Sequence, residues 1–186
     1  MIKHIMIDIE TLSTAKNAVV LSIGAVLFDP KSGKILDEFY KELRLSDQAN
    51  RKVDVSTVQW WIGQVAQHPE RASLFLQELY DNKCTARNAL LLLRDFIGSH
   101  RVADHDLCVW ACDPDFDLDI LATLYAEYGL NVPWKYYEPK SVRTVRMLGK
   151  ELGLPKLDDT KTHNALEDCI RQVKEVNRAY MALGIE

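Results

Sequence analysis

The sequence has no apolar run approaching the ~20 residues that a membrane-crossing helix needs. Its first residues hold no apolar signal-peptide core, only a strand-length run broken by acids. A cytoplasmic protein with no membrane partner is expected. There is no Cys-x-x-Cys pair: Cys84, Cys108, Cys112 and Cys169 are scattered, which suits reduced thiols. Cys108 and Cys112, with His105 upstream, offer part of a zinc site. Yet "LCVWAC" reads as a buried strand, where cysteine serves as a small apolar residue. An excess of positive charge is also missing. The formal net charge of −4 argues against holding long nucleic acid by bulk electrostatics. It leaves room for a grip on a chain end through metal ions and a local basic patch. No repeat, low-complexity tract or Pro/Gly/Ser-rich linker divides the 186 residues, so one domain over 1–186 is expected.

What is present is a change of period along the chain. Ile5, Ile7 and Ile9 alternate with Met6, Asp8 and Glu10, as in a strand. "NAVVLSIGAVLFD" is a second strand, "DPKSG" a turn, and "KILDEFYKEL" a third strand. Short connections predict an antiparallel meander. Helical spacing then takes over in "DVSTVQWWIGQVA", with Asp54 or Ser56 as N-cap, in "HPERASLFLQELYD", and in "TARNALLLLRDFIGS", capped by Thr85. "DLCVWAC" is a short buried strand and "PWKYYEP" an extended piece. Helices follow at "DFDLDILATLYAEYG", at "SVRTVRMLGKELG" from Ser141, and at "NALEDCIRQVKEVNRAYMAL" from Asn164. The last buries Leu166, Cys169, Ile170, Val173, Val176 and Tyr180 on one stripe. This pattern predicts an α/β domain: a mixed sheet, its first three strands antiparallel, with helices on both faces.

Asp8 and Glu10 are two apart on a strand, so they share a face. Alone, such a pair is also consistent with solvated acids past a strand end. Asp117 sits at a strand-to-helix junction, and Asp168 lies in the first turns of the last helix. Each suits a helix dipole equally well. His163 precedes Asp168 by five residues. At about 100° per residue the two would point apart on one helix. They face one site only if His163 lies in the loop before the Asn164 cap.

Together these residues run D-x-E, then F-D, then H-x-x-x-x-D. "MIDIETL", "DFDLDIL" and "HNALEDC" resemble the three motifs of the DnaQ-like superfamily of 3′→5′ exonucleases, on the RNase H-like fold. The resemblance spans most of the chain. The sister subclass has tyrosine where this chain has Asn164, so the DEDDh subclass is indicated. "VVLSIGAVLFD", "STVQWWIGQ" and "SVRTVRML" further resemble phage, prophage and bacterial exoribonuclease-like or exodeoxyribonuclease VIII-like enzymes. Relatives usually carry Gly or Asn before the second-motif Phe-Asp; here stand Ala111, Cys112 and Asp113.

The resemblance implies two divalent ions, Mg²⁺ or Mn²⁺, suited to hard carboxylate oxygens. Asp8 would bridge both. Glu10 and Asp168 would hold the ion carrying the nucleophilic water, and Asp117 the second. His163 would be the general base, a task that suits an unperturbed pKa of ~6.5. The implied substrate is the 3′ end of single-stranded DNA or RNA, and related enzymes are often homodimers. Thr11 and Leu12 follow the first motif, where similar enzymes touch the terminal nucleotide. Phe116 is placed to pack in the core or to stack on a base. Trp60 and Trp61 face different directions, one inward and one available for stacking. Arg143 belongs to a basic stretch with Lys140, Arg146, Lys150 and Lys156, either a phosphate-binding side or a solvated helix face. A catalytically inactive nucleic-acid-binding or assembly subunit is the alternative, and the intact five-residue set argues against it.

Overall fold

The computed structural model describes residues 2–67, 83–102, 107–157 and 163–185. Strands β1 (Lys3–Thr11), β2 (Val20–Phe28) and β3 (Ile35–Glu42) form the expected antiparallel meander. Strands β4 (Leu107–Ala111) and β5 (Pro139–Ser141) extend it in parallel beyond β1, giving the sheet order β3-β2-β1-β4-β5. A short 3-10 helix (Ser46–Gln48) and helices α1 (Val55–Gln67), α2 (Ala86–His100), α3 (Pro114–Glu127), α4 (Val142–Glu151) and α5 (Ala165–Ala182) complete the described elements. The helix expected over 68–81 lies outside the described residues. The extended piece expected from Pro133 is different: 133–138 turn, and strand pairing begins only at Pro139. Two prolines and consecutive tyrosines left the period ambiguous there. Among the described residues, no helix is long and apolar enough to cross a membrane.

Alternation on β1 divides the core in two. Ile5, Ile7 and Ile9 join Leu90, Leu93 and Ile97 of α2 and Leu118 and Leu121 of α3 on one face. Met6, with Val26, Phe28 and Trp110, packs against Val142 of α4 and Cys169, Val173 and Val176 of α5 on the other. Helices therefore cover both faces, because both faces of these strands are apolar. Local chemistry starts three helices where the sequence places them. Thr85 accepts from the Asn88 N–H, Ser141 from Thr144, and Asn164 from both Leu166 and Glu167. α1 begins directly after Asp54.

Candidate active site

Parity carries Asp8 and Glu10 onto the Met6 face, at the end of β1 where α5 begins. The side chains of Asp8, Asp117 and Asp168 are almost fully buried. β4 runs parallel to β1, with Met6 beside Trp110, so both strands finish at the same edge. α3 starts three residues after β4, and its first turn presents Asp117 at that edge. The Asp113 N–H, at the helix cap, donates to Asp117 Oδ2 over 3.3 Å and orients that carboxylate.

Asp168 arrives by a different route. Gly24 on β2 is the cross-strand partner of Asp8. A Cβ at Gly24 would lie 2.4 Å from the Ala165 carbonyl carbon and oxygen and 2.5 Å from the Leu166 nitrogen. Only glycine lets the first turn of α5 press onto the strand there. That contact fixes the height of Asp168 above the sheet. The residue just before the cap, His163, has φ +53. This left-handed backbone is uncommon for a residue with a side chain. It turns the imidazole back over the site, edge-on to Trp60 at 4.7 Å and to Trp61 at 5.8 Å between ring centroids. The ligand atoms of Glu10, His163 and Asp168 all lie within 4.8 Å of one another.

The electrostatics is dominated by like charge. Burial, then Asp117 and Asp168, push the Asp8 carboxyl well above its usual range, against a hydrogen bond from Gln172 and the Arg171 charge. Burial lifts Asp117 to about 7, although the Asp113 and Ile9 N–H groups oppose the shift. One cation is built into the edge: Arg171 Nε donates to Asp168 Oδ1 at 3.1 Å, and Arg171 also pairs with Glu175. A cluster of carboxylates and an imidazole, compressed and under-neutralised, fits hard divalent cations such as Mg²⁺ or Mn²⁺. The five motif residues are thus linked: Glu10, His163 and Asp168 meet, and Asp117 and Asp168 act on the buried Asp8.

The five candidate substrate contacts separate. Leu12 is buried with Val19, Leu21 and Trp61 in a small third cluster. Thr11 follows a break in strand register after Glu10; its hydroxyl donates to Ser13 O and its carbonyl accepts from Trp61 Nε1. Phe116 packs against the isoleucine-face core. Trp61 is the inward tryptophan, whereas Trp60 is 44% exposed beside His163. Arg143 is exposed and paired with Asp113 at 2.8 Å. It lines a groove of about 790 Å³ between α4 and α5, as do Lys150, Lys156 and Arg178. Gly24 and Gln172 were not singled out by sequence reasoning. Gln172 carried a signal: it is a polar residue one turn after Asp168 on the buried stripe of α5.

A family model described as the Rv2179c-like 3′-5′ exoribonuclease domain matches residues 3–180. No curated protein matches the sequence. Among solved structures, the zinc-bound complex of E. coli exonuclease I with single-stranded DNA superposes with a TM-score of 0.72 at 11% identity. It covers 100% of this chain and 42% of that chain. The nuclease domain of 3′hExo, a DEDDh family member bound to rAMP, gives 0.65 at 13% identity, covering 98% and 92%. The cell-death related nuclease CRN-4 gives 0.66 at 15%, covering 98% and 64%. The chain thus spans about two fifths of exonuclease I, and these likenesses establish the RNase H-like fold.

Proposed function

Because the chain belongs to the Rv2179c-like 3′-5′ exoribonuclease domain family, we propose that this 3′→5′ exonuclease removes nucleotides from the 3′ end of single-stranded nucleic acid, RNA foremost, and releases nucleoside 5′-monophosphates. The observation that carries this reading is the meeting of Glu10, His163 and Asp168 within 4.8 Å, beside two buried aspartates. Asp8, Glu10, Asp117 and Asp168 would hold two divalent ions, Mg²⁺ or Mn²⁺. When bound, such ions supply charge neutralisation at the phosphate and a water of lowered pKa.

The remaining steps belong to the chain's own residues. His163 takes the proton from the attacking water as general base, within reach of the carboxylates that orient that water. Trp60 flanks the imidazole on its outer side and restricts its rotation, so the base is held where the water must sit. The exposed part of Trp60 offers a surface for stacking the terminal base. Arg143, Lys150 and Lys156 line a groove that also includes Arg171, the partner of Asp168, and strand phosphates would run there. A short basic track suits a chain whose net charge is −4: it grips an end, not a long duplex.

The test is a time course on matched 3′-labelled and 5′-labelled single-stranded RNA and DNA, with Mg²⁺ and with Mn²⁺. Immediate release of labelled mononucleotide from the 3′-labelled strand, with a ladder from the 5′-labelled one, is expected. Cleavage of an intact circular single strand would replace this reading with an endonuclease.

A further inference from the structure

We propose that Gln172 is a positioning residue for Asp8, pinning one oxygen of its carboxylate so that the other is presented to a divalent cation; this rests on the metal-dependent nuclease reading above. Gln172 follows Asp168 by one turn of α5, so the two side chains leave the same face of the helix. It is 1% exposed, and its Nε2 donates to Asp8 Oδ1 over 2.7 Å. Chemistry fixes the direction. A carboxylate that binds a cation is ionised and only accepts, so the amide nitrogen must face it. The other end of the amide then has nothing: Gln172 Oε1 is buried without a hydrogen-bond partner.

That orphaned oxygen separates two roles. A side chain kept only to fill the core would not carry a buried carbonyl without a donor, because Met or Leu fills similar space without that cost. The amide is explained by what it does to Asp8. Among the described residues, Gln172 is the one side-chain donor to that carboxylate. Asp117 and Asp168 act on the same carboxylate. With its rotation fixed in advance, Asp8 loses less freedom when a cation binds. The contact also links the two elements that must register for the site to exist, since the partners lie 164 residues apart in sequence.

The experiment replaces Gln172 by Met and reads three quantities on the full chain. These are thermal stability in EDTA, Mn²⁺ affinity by calorimetric titration, and kcat and KM on a short 3′-labelled oligoribonucleotide. The proposal expects Gln172→Met to melt close to the parental temperature in EDTA, because removal of the partnerless Oε1 offsets loss of the donor to Asp8 Oδ1. Mn²⁺ affinity should fall about 10–100-fold, and kcat should fall while KM holds. A purely structural glutamine would instead lower the EDTA melting temperature together with activity, which overturns the proposal. Gln172→Leu provides the same readings where the Met variant does not fold. A parent that binds Mn²⁺ while the variant binds it equally well overturns the proposal alone. A parent that binds no Mn²⁺ overturns the nuclease reading as well.

Discussion

β1 buries an ionisable side chain at each end of one face and treats the two in opposite ways. At its start, His4 is 7% exposed, accepts a 3.0 Å hydrogen bond on Nδ1 from Trp110 Nε1, and is ringed by Phe28, Trp110 and Tyr180. Burial there holds the imidazole down at about 4, so it is neutral and supplied with a partner. At its end, Asp8 is 9% exposed and meets two further carboxylates. Both groups cost something to bury. The first cost is met by a neutral donor, the second is compounded by like charge. Burial alone does not mark a site; burial that the protein leaves electrostatically unresolved does.

The sharpest way to separate the two ends is by activity. His163→Ala is expected to lower kcat about 10²–10⁴-fold, the usual worth of a positioned base. Mn²⁺ binding and the melting temperature should stay close to parental. Trp110→Phe, at the other end, should leave kcat unchanged. If His163→Ala keeps full activity on a 3′-labelled oligonucleotide, the assignment of the base is wrong.

Metal comes next. Saturation with Mg²⁺ or Mn²⁺ at about a hundred times Kd should stabilise the fold by about 2.7 kcal/mol over an EDTA sample. A calorimetric scan that shows no upward shift counts against the cluster. Gly24→Ala should cost about 1–3 kcal/mol by overpacking against the α5 backbone, and should also lower kcat because Asp168 is displaced. Trp110→Phe should cost a similar ~1–3 kcal/mol, since it leaves His4 Nδ1 buried without a donor. Equilibrium denaturation of both variants, beside their rates, tells a site glycine from a core tryptophan.

The smallest effect is the pH dependence without metal, and here the two ends oppose one another. Asp117 sits near 7 against an ordinary 3.8, and Asp8 is raised as well. Their contribution to stability is full below about pH 4 and is lost as pH rises toward 7. His4 sits near 4 against 6.5, so its contribution is full above 6.5 and is lost as pH falls toward 4. In EDTA, Asp8→Asn should therefore gain on the parent as pH rises to 7, and His4→Phe should gain on it as pH falls to 4. Melting curves across that range check both slopes; parallel curves for all three proteins would remove the contrast.

Much of this was legible in the chain. Period-2 alternation put Met6, Asp8 and Glu10 on one face. The caps at Thr85, Ser141 and Asn164 started their helices, and the motif order named the five residues that meet. Placement of Trp60 against Trp61 was open, because adjacent helix positions point apart without saying which way is inward. Their assignment came from the small cluster around Leu12, Val19 and Leu21, which claims Trp61. Thr11 and Leu12 read as substrate contacts from their position, yet their side chains turned inward after the break in register on β1. Local sequence determined the elements, the parity and the chemical inventory, since these depend on spacing and residue type. Only the tertiary structure decided that a glycine on β2 admits α5 to within touching distance of Asp8. It also decided that Gln172 reaches across to hold that carboxylate, because such contacts depend on how far one layer can approach another and no local spacing encodes that distance.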